Sequence, residues 1–322
     1  MKIIVTHASP DLDAVTSVWL IKRFLAGWEE ASIQFVPAGE RISNFKFHPF
    51  DKLRTRISNF KSPVETIGKD EVIHVDTGLG PLDHHETSDD TVSAASRTWD
   101  YIQVQSSKFN PSTSFRTGVQ GQENDRVEIQ KQAISRMVKV VVKIDHFKEV
   151  FWDNPVADYH EFSLIGILDG LKLQKPNQDE YYVEFCLEAL EAILHNFENR
   201  IWAEREIKEN GKEFQTRFGK GIGFETINDT VIKLSQKMGY MVVVRKDPRK
   251  GYVRIKAKPF SQNEKEDIDL TLVYEKLKKM DPKATWFLHV SKKMLLNGTA
   301  KNPKMIPTKL SLDQIISVLE AI

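Results

Sequence analysis

Apolar positions along the chain change period twice, and those changes divide it. Residues 2 to 5 (Lys-Ile-Ile-Val) form a short apolar run that predicts a buried strand, and apolar residues return at helical spacing from Ala14 to Leu25, at Val15, Val18, Trp19, Ile21 and Leu25. Ile33–Val36 and Glu71–Val75 predict further strands, Val92–Ile102 and Val127–Val142 further helices. Short strands alternating with helices predict an α/β fold with a mostly parallel sheet and helices on both faces. After Asp145 the period is helical over Phe162–Leu173 and again from Glu180 to Asn210, where Val183, Leu187, Leu190, Leu194, Phe197 and Ile201 share one side. Strand patterns then return. Met241–Arg245 and Tyr252–Lys256 flank the turn Lys246-Asp-Pro-Arg-Lys-Gly251 as a hairpin, Thr285–Val290 reads as a strand, and Leu312–Ile322 closes the chain as a helix capped by Ser311.

These periods predict a first α/β domain over 1–155, a helical linker over 156–212 and a smaller α/β domain over 213–322, with the active site expected in the cleft between the two. Two stretches near 46–60 and 105–124 read as inserted surface loops. Arg41-Ile-Ser-Asn-Phe-Lys46 recurs letter for letter as Arg56–Lys61, and Lys46–Thr55 resembles Lys108–Thr117. Such additions to a loop are cheap, because doubling its length costs only ~0.6 kcal/mol of closure entropy.

Charge narrows the partners. Among 322 residues, 46 Lys and Arg face 45 Asp and Glu, and a net charge of +1 supplies no global field for long nucleic acid or an anionic membrane. One cysteine, Cys186, excludes an intramolecular disulfide framework and paired-thiolate metal sites, and itself reads as core. Met1–Thr6 enters a strand with no apolar leader segment, and no apolar run approaches the ~18 residues of a membrane span. A soluble, cytoplasmic protein with no membrane partner is expected.

Three acidic and imidazole clusters carry the chemistry. In His7-Ala-Ser-Pro-Asp11-Leu-Asp13 a strand gives way to a helix, where side chains from the turn can converge and carboxylates are tolerated by the helix dipole. Asp11 and Asp13 could equally cap that helix. Val75-Asp76-Thr-Gly-Leu-Gly-Pro-Leu-Asp83-His84-His85-Glu86 ends a strand on a carboxylate and returns at once with adjacent histidines. Neighbouring residues of an extended strand point to opposite faces, so irregular backbone must bring both imidazoles to one place, or one ligates while the other binds phosphate. Lys143-Ile-Asp145-His146 adds a carboxylate after a β-branched run. Oxygen and imidazole donors without thiolate suit manganese or magnesium.

His7-x-x-x-Asp11-x-Asp13, Asp76, Asp83-His84-His85 and Asp145 resemble, in order, the four motifs of the DHH phosphoesterase superfamily, and Thr6-His7 with the quick run into Asp-His-His is nearest to its melanocyte proliferating gene 1 branch. The resemblance implies two manganese ions, with magnesium as the alternative, held by His7, Asp11, Asp13, Asp76, His85 and Asp145, while His84 meets the substrate phosphate. Asp11 or Asp83 would orient the attacking water.

In the C-terminal domain His289, Lys292, Lys293, Asn297 and Lys301 are the substrate-binding candidates, although lysines in a polar loop are commonly just solvated. The basic hairpin Arg245, Lys246, Arg249, Lys250 and Arg254 could track an oligonucleotide backbone or stand as a solvated ribbon. Gly219-Lys-Gly-Ile-Gly223 lacks the flanks of a phosphate loop and reads as a turn before a strand at Phe224. The expected activity is hydrolysis of a phosphodiester in a short oligonucleotide or other phosphate-containing small molecule. A manganese-dependent pyrophosphatase and a nucleotide-binding regulator without turnover are the alternatives, and a homodimer remains open.

Overall fold

The computed structural model describes residues 1–42, 62–105, 123–260, 267–298, 302 and 304–321. The fold is mixed α/β, in two compact units that divide after Glu198. Residues 46–60, most of the second expected insertion, and Lys301 lie outside the described residues.

The first unit is built on a four-stranded sheet of β1 (Lys2–His7), β2 (Ser32–Val36), β3 (Val64–Ile67) and β4 (Asp70–His74), in the order β2-β1-β4-β3. β1 runs parallel to both neighbours, and β3 is the antiparallel edge. A strand buried on both faces must be apolar throughout, as Ile3, Ile4 and Val5 are. The register that sets Val5 beside His74 brings the C-terminal ends of β1 and β4 to the same edge, so His7 and Asp76 emerge side by side.

Three helices pack together: α1 (Leu12–Phe24), α2 (Ala94–Gln105) and α3 (Glu123–Asp145). The Phe24 ring lies edge-on to Trp19 at 5.4 Å and to Trp99 at 6.1 Å, and the Trp99 indole donates to Ser135 Oγ at 3.2 Å, tying α2 to α3. Two short 3-10 turns (Lys148–Phe151, Asp158–Phe162) lead to α4 (Leu164–Gln174) and the long α5 (Asp179–Asn210). Val183, Leu190, Leu194 and Ile201 on α5 are buried, as the helical period predicts, and Cys186 is core with its thiol pushed up to about 11 by burial. No helix among the described residues is long and apolar enough to cross a membrane.

The second unit holds β5 (Lys212–Thr216), β6 (Gly219–Glu225), α6 (Thr230–Lys237), β7 (Val242–Lys246), β8 (Val253–Ala257), α7 (Thr271–Met280), β9 (Trp286–Leu288), β10 (Met294–Asn297) and α8 (Leu312–Glu320). Its six strands run in the order β5-β6-β7-β8-β10-β9, and only the β6–β7 pair is parallel. Ser311 caps α8 in a reciprocal box with Gln314. Gly219–Gly223, read as a turn from sequence, is instead the first part of β6. Its glycines serve close packing: a Cβ on Gly221 would sit 2.3 Å from the Phe214 ring and one on Gly223 2.9 Å from Ile316 of α8.

The turn after β4 depends on Gly78, at φ +76°, where a Cβ would lie 2.2 Å from Cγ of Arg41 and 3.1 Å from the Glu40 carbonyl. Arg41 cannot swing aside freely, because its guanidinium donates to the Gly78 carbonyl at 3.0 Å and pairs with Glu65. Gly78→Ala is therefore expected to destabilise the chain by more than about 1 kcal/mol, measurable by urea denaturation.

Candidate metal centre

All six residues expected as ligands meet at the edge where β1 and β4 end. His7, the last residue of β1, donates from Nδ1 to the Ala8 carbonyl at 2.9 Å, which turns Nε2 toward Asp76 Oδ2 at 3.2 Å and Asp11 Oδ1 at 3.9 Å. Fixing one ring nitrogen with a carbonyl is how a ligating imidazole is oriented. Burial pulls the His7 pKa down, but the Asp76 hydrogen bond, the Ala8 carbonyl and the charges of Asp76 and Asp11 outweigh it and raise it to about 9.

Asp11 is the N-cap of α1, accepting from Ala14 N–H at 3.0 Å, so the capping role that sequence allowed for it is real. Its side chain stays 54 % exposed, the most open of the carboxylates here. Asp13 behaves differently. It sits buried in the first turn of α1 and caps another helix: Oδ1 accepts from Ser93 Oγ at 2.7 Å and Ala95 N–H at 2.9 Å, and Oδ2 from Ala94 N–H at 2.7 Å, all at the start of α2.

Asp76, buried and at φ +52°, directs its two oxygens in different directions. Oδ2 faces His7, while Oδ1 has no hydrogen-bond partner and lies 3.6 Å from His84 Nε2 and 3.8 Å from His85 Nδ1. His84 Nε2 is likewise buried without a partner, 3.4 Å from Asp145 Oδ2, 3.6 Å from Asp76 Oδ1 and 3.7 Å from Asp13 Oδ2. Asp145, the last residue of α3, leaves Oδ2 unpaired too. Native proteins pair their buried polar atoms, so these three unpaired atoms converging on one point form a place where a bound group would be held. Oxygen, oxygen and imidazole donors fit a hard or borderline divalent cation there.

Burial, first, and repulsion among Asp13, Asp76, Asp145 and Asp11 raise the pKa values of Asp13, Asp76 and Asp145 above the usual carboxylate range. Among the described residues, three sets of side chains are close enough together to hold an ion: His7, Asp11 and Asp76; Asp76, His84 and His85; His84, Asp145 and His146.

The two adjacent histidines exchange the positions expected of them. His84 lies inward among the carboxylates, whereas His85 is 58 % exposed at its side chain. Asp83 causes this: fully buried, it accepts from Leu79 N–H at 2.6 Å, from His85 N–H at 3.1 Å and from His85 Nδ1 at 2.6 Å. That hydrogen bond, opposed by burial and aided by the charges of Asp83, Asp76 and Asp145, raises His85 to about 9. Burial pushes Asp83 up, but its bonds with His85 and Leu79 prevail and hold it below the usual carboxylate range. With both oxygens so engaged, Asp83 holds the loop and His85. His146, beside Asp145 in the sequence, joins the site as well: its Nε2 donates to the Val92 carbonyl at 2.8 Å and lies 3.6 Å from Asp145 Oδ2.

The expected substrate-binding residues of the second unit have other partners. Asn297 is fully buried, donating to the Thr285 and Ile306 carbonyls at 3.0 Å each and accepting from Thr308 N–H at 2.6 Å, so its amide is structural and not a substrate contact. Lys292 pairs with Asp269 at 2.8 Å, Lys293 pairs with Asp267, and His289 shares a hydrogen bond with Ser291. The hairpin is no free basic ribbon either: Arg245 is buried against Asp229 and the Thr226 carbonyl, Arg254 pairs with Asp229, and Arg249 with Asp247.

No family model matches the chain, and no curated protein matches it. Among solved structures it is similar to a pGpG-specific phosphodiesterase, PggH, from Vibrio cholerae (15% identity over 93% of both chains, TM-score 0.23). It is also similar to an uncharacterized protein from Helicobacter pylori G27 (11%, 99% of both chains, 0.23) and a putative family II inorganic pyrophosphatase from Methanococcus jannaschii (14%, 99% of both chains, 0.18). Likenesses at such TM-scores carry no argument about this chain, and the site stands on its own geometry.

Without metal, His7 keeps its proton to about pH 9, and Asp13, Asp76 and Asp145 keep theirs above the usual carboxylate range. A cation must displace those protons, so affinity for Mn2+ is expected to strengthen steadily as pH rises from about 6 to 9, with proton release. Calorimetry in buffers of different ionisation enthalpy measures both.

Proposed function

We propose that the chain is a divalent-metal-dependent phosphoesterase that hydrolyses a phosphodiester in a short oligonucleotide or nucleotide. The observation that carries the reading is the convergence of Asp76 Oδ1, His84 Nε2 and Asp145 Oδ2, each buried and unpaired, beside a second group formed by His7, Asp11 and Asp76 Oδ2. His7, Asp11 and Asp76 would hold one ion, and Asp13, Asp76, His84 and Asp145 a second, with Asp76 common to both. This revises the ligand set expected from sequence by exchanging His85 for His84. Choice of a phosphate ester as substrate rests on the likeness of the four motifs to the DHH phosphoesterases. Manganese is the expected metal and magnesium the alternative.

Divalent ions bound here supply positive charge for the phosphate oxygens and make water acidic enough to act near neutral pH. The chain's own groups do the rest. Asp11, half exposed, is the carboxylate that solvent water reaches, and can hold that water's proton as its oxygen attacks phosphorus. The ester P–O bond then breaks, the leaving oxygen takes a proton from solvent water, and Asp11 returns the proton it took to solvent. His85, exposed and held through Nδ1 by Asp83, offers its other ring N–H to a non-bridging phosphate oxygen. Asp83 holds that ring in place.

The test is a panel of short RNA and DNA oligomers, linear and cyclic dinucleotides and pyrophosphate, run with Mn2+ and with chelator. Manganese-dependent release of mononucleotides is expected, with pyrophosphate untouched; turnover of pyrophosphate alone would replace the reading with its relative, and binding without turnover would end it. Asp76→Ala is expected to reduce activity by roughly a thousandfold, since metal chemistry supplies several kcal/mol and each 1.36 kcal/mol is tenfold. His85→Ala should lower kcat/KM and leave the metal content unchanged, as assayed by elemental analysis.

A further inference from the structure

Val92–Arg97, the entry to α2 and its first turn, carries none of the motif residues yet bonds to three of the segments that do. Asp13, from the first cluster, receives Ser93 Oγ and the Ala94 and Ala95 N–H groups. The Asp83–Glu86 loop, from the second, receives Arg97, whose guanidinium donates to the Asp83 carbonyl and pairs with Glu86 at 2.6 Å. His146, from the third, donates to the Val92 carbonyl at 2.8 Å. Three stretches of chain far apart in sequence thus share one six-residue bracket.

We propose that Ser93 and Arg97 are positioning residues of the metal centre, Ser93 fixing the carboxylate of Asp13 and Arg97 fixing the loop that carries His84. The inference rests on the metal-centre reading above and goes beyond it to residues that touch neither ion nor substrate. Ser93 is fully buried, and its hydroxyl accepts from Ser96 N–H of its own helix at 3.4 Å, as a capping serine does, while donating its proton to Asp13 Oδ1 at 2.7 Å. With Oδ1 held by two donors and Oδ2 by one, the carboxylate is locked in rotation. Each carboxylate oxygen accepts along two lone-pair directions, so Oδ2 keeps one for a cation, on the side where His84 Nε2 stands 3.7 Å away. Arg97 acts on the neighbouring ligand. Its grip on the Asp83 carbonyl fixes the backbone one residue before His84, and its ion pair with Glu86 fixes the chain two residues after. Outer partners of this kind, which orient ligands without touching the metal, affect metal affinity by about 10- to 100-fold when removed.

The experiment is a calorimetric Mn2+ titration of the full chain as wild type, S93A, S93T and R97A, alongside thermal melting of each with and without Mn2+. S93A and R97A are expected to lose about 10- to 100-fold in Mn2+ affinity and to show a smaller metal-induced rise in midpoint, while their metal-free midpoints stay near that of the wild type. S93T, which keeps the hydroxyl, is expected to restore binding. Wild-type affinity in both alanine variants overturns the proposal. So does a loss that only tracks a lowered metal-free midpoint, and S93T as weak as S93A removes Ser93 from it. Should S93A fail to fold, the partly exposed Arg97 carries the test alone. A wild-type chain that takes up no Mn2+ overturns the metal centre itself, an outcome distinct from a wild type that binds and variants that bind equally.

Discussion

Three carboxylates facing one imidazole, two of them buried and the third half-buried, cannot all carry charge without a cation among them. Asp13, Asp76 and Asp145 each lie within 3.7 Å of His84 Nε2. In the absence of metal the conflict is relieved by protons, and the raised pKa values of the three acids express this. Leaving a buried charge without a partner is costly, so an arrangement of this kind persists only where something compensates for it. For Asp13 part of the compensation is the N-terminus of α2, whose free N–H groups and positive dipole end favour the ionised form.

The backbone bends to deliver these groups. Ser9, Asp76, Leu79 and Phe147 all have φ near +50°, in the left-handed region that non-glycine residues rarely enter. One lies in each of the turns after β1 and α3, and two lie in the loop that carries the histidines. Backbone held in sparsely populated conformations costs of order 1–3 kcal/mol per residue and gathers where function dictates geometry. β1 and β4 in parallel register set the origin of the first two turns and α3 that of the third, and at Asp76 the residue in this conformation is itself a donor. Sheet and strain together explain why donors from residues as distant as His7 and Asp145 reach one edge.

Much of this was legible in the sequence, for a local reason. His7, Asp11 and Asp13 share one strand-to-helix turn, Asp76 ends a strand, and Asp145 ends a helix, so the residue pattern itself marks the ends of elements where donors can converge. The order of His84 and His85 was not legible, because it is decided by which ring Asp83 captures and by where Arg97 pins the loop. Nor were Ser93 and Asn297. A serine before a helix reads as a cap for that helix, and an asparagine beside a glycine reads as a loop; only the fold reveals that one donates to Asp13 and the other is buried beneath three backbone bonds. The strand at Phe224 begins earlier than its sequence indicates, because the glycines at 219, 221 and 223 read as a turn, whereas in β6 those at 221 and 223 allow close approach of Phe214 and α8.

The same distinction between a residue's type and its partners bears on what the site can accept. A protein that holds a long polyanion presents cations free to exchange their counterions for phosphates. The arginines at 245, 249 and 254 and the lysines at 292 and 293, the strongest basic groups that the sequence offered for that purpose, are all paired with aspartates, and Arg245 is buried besides. Under the function proposed, a net charge of only +1 leaves attraction for a substrate to the site itself, to the cations it would hold and to His85. Attraction of that short range suits a substrate carrying few phosphates, one that the centre itself can neutralise, better than a long strand drawn in by a charged surface.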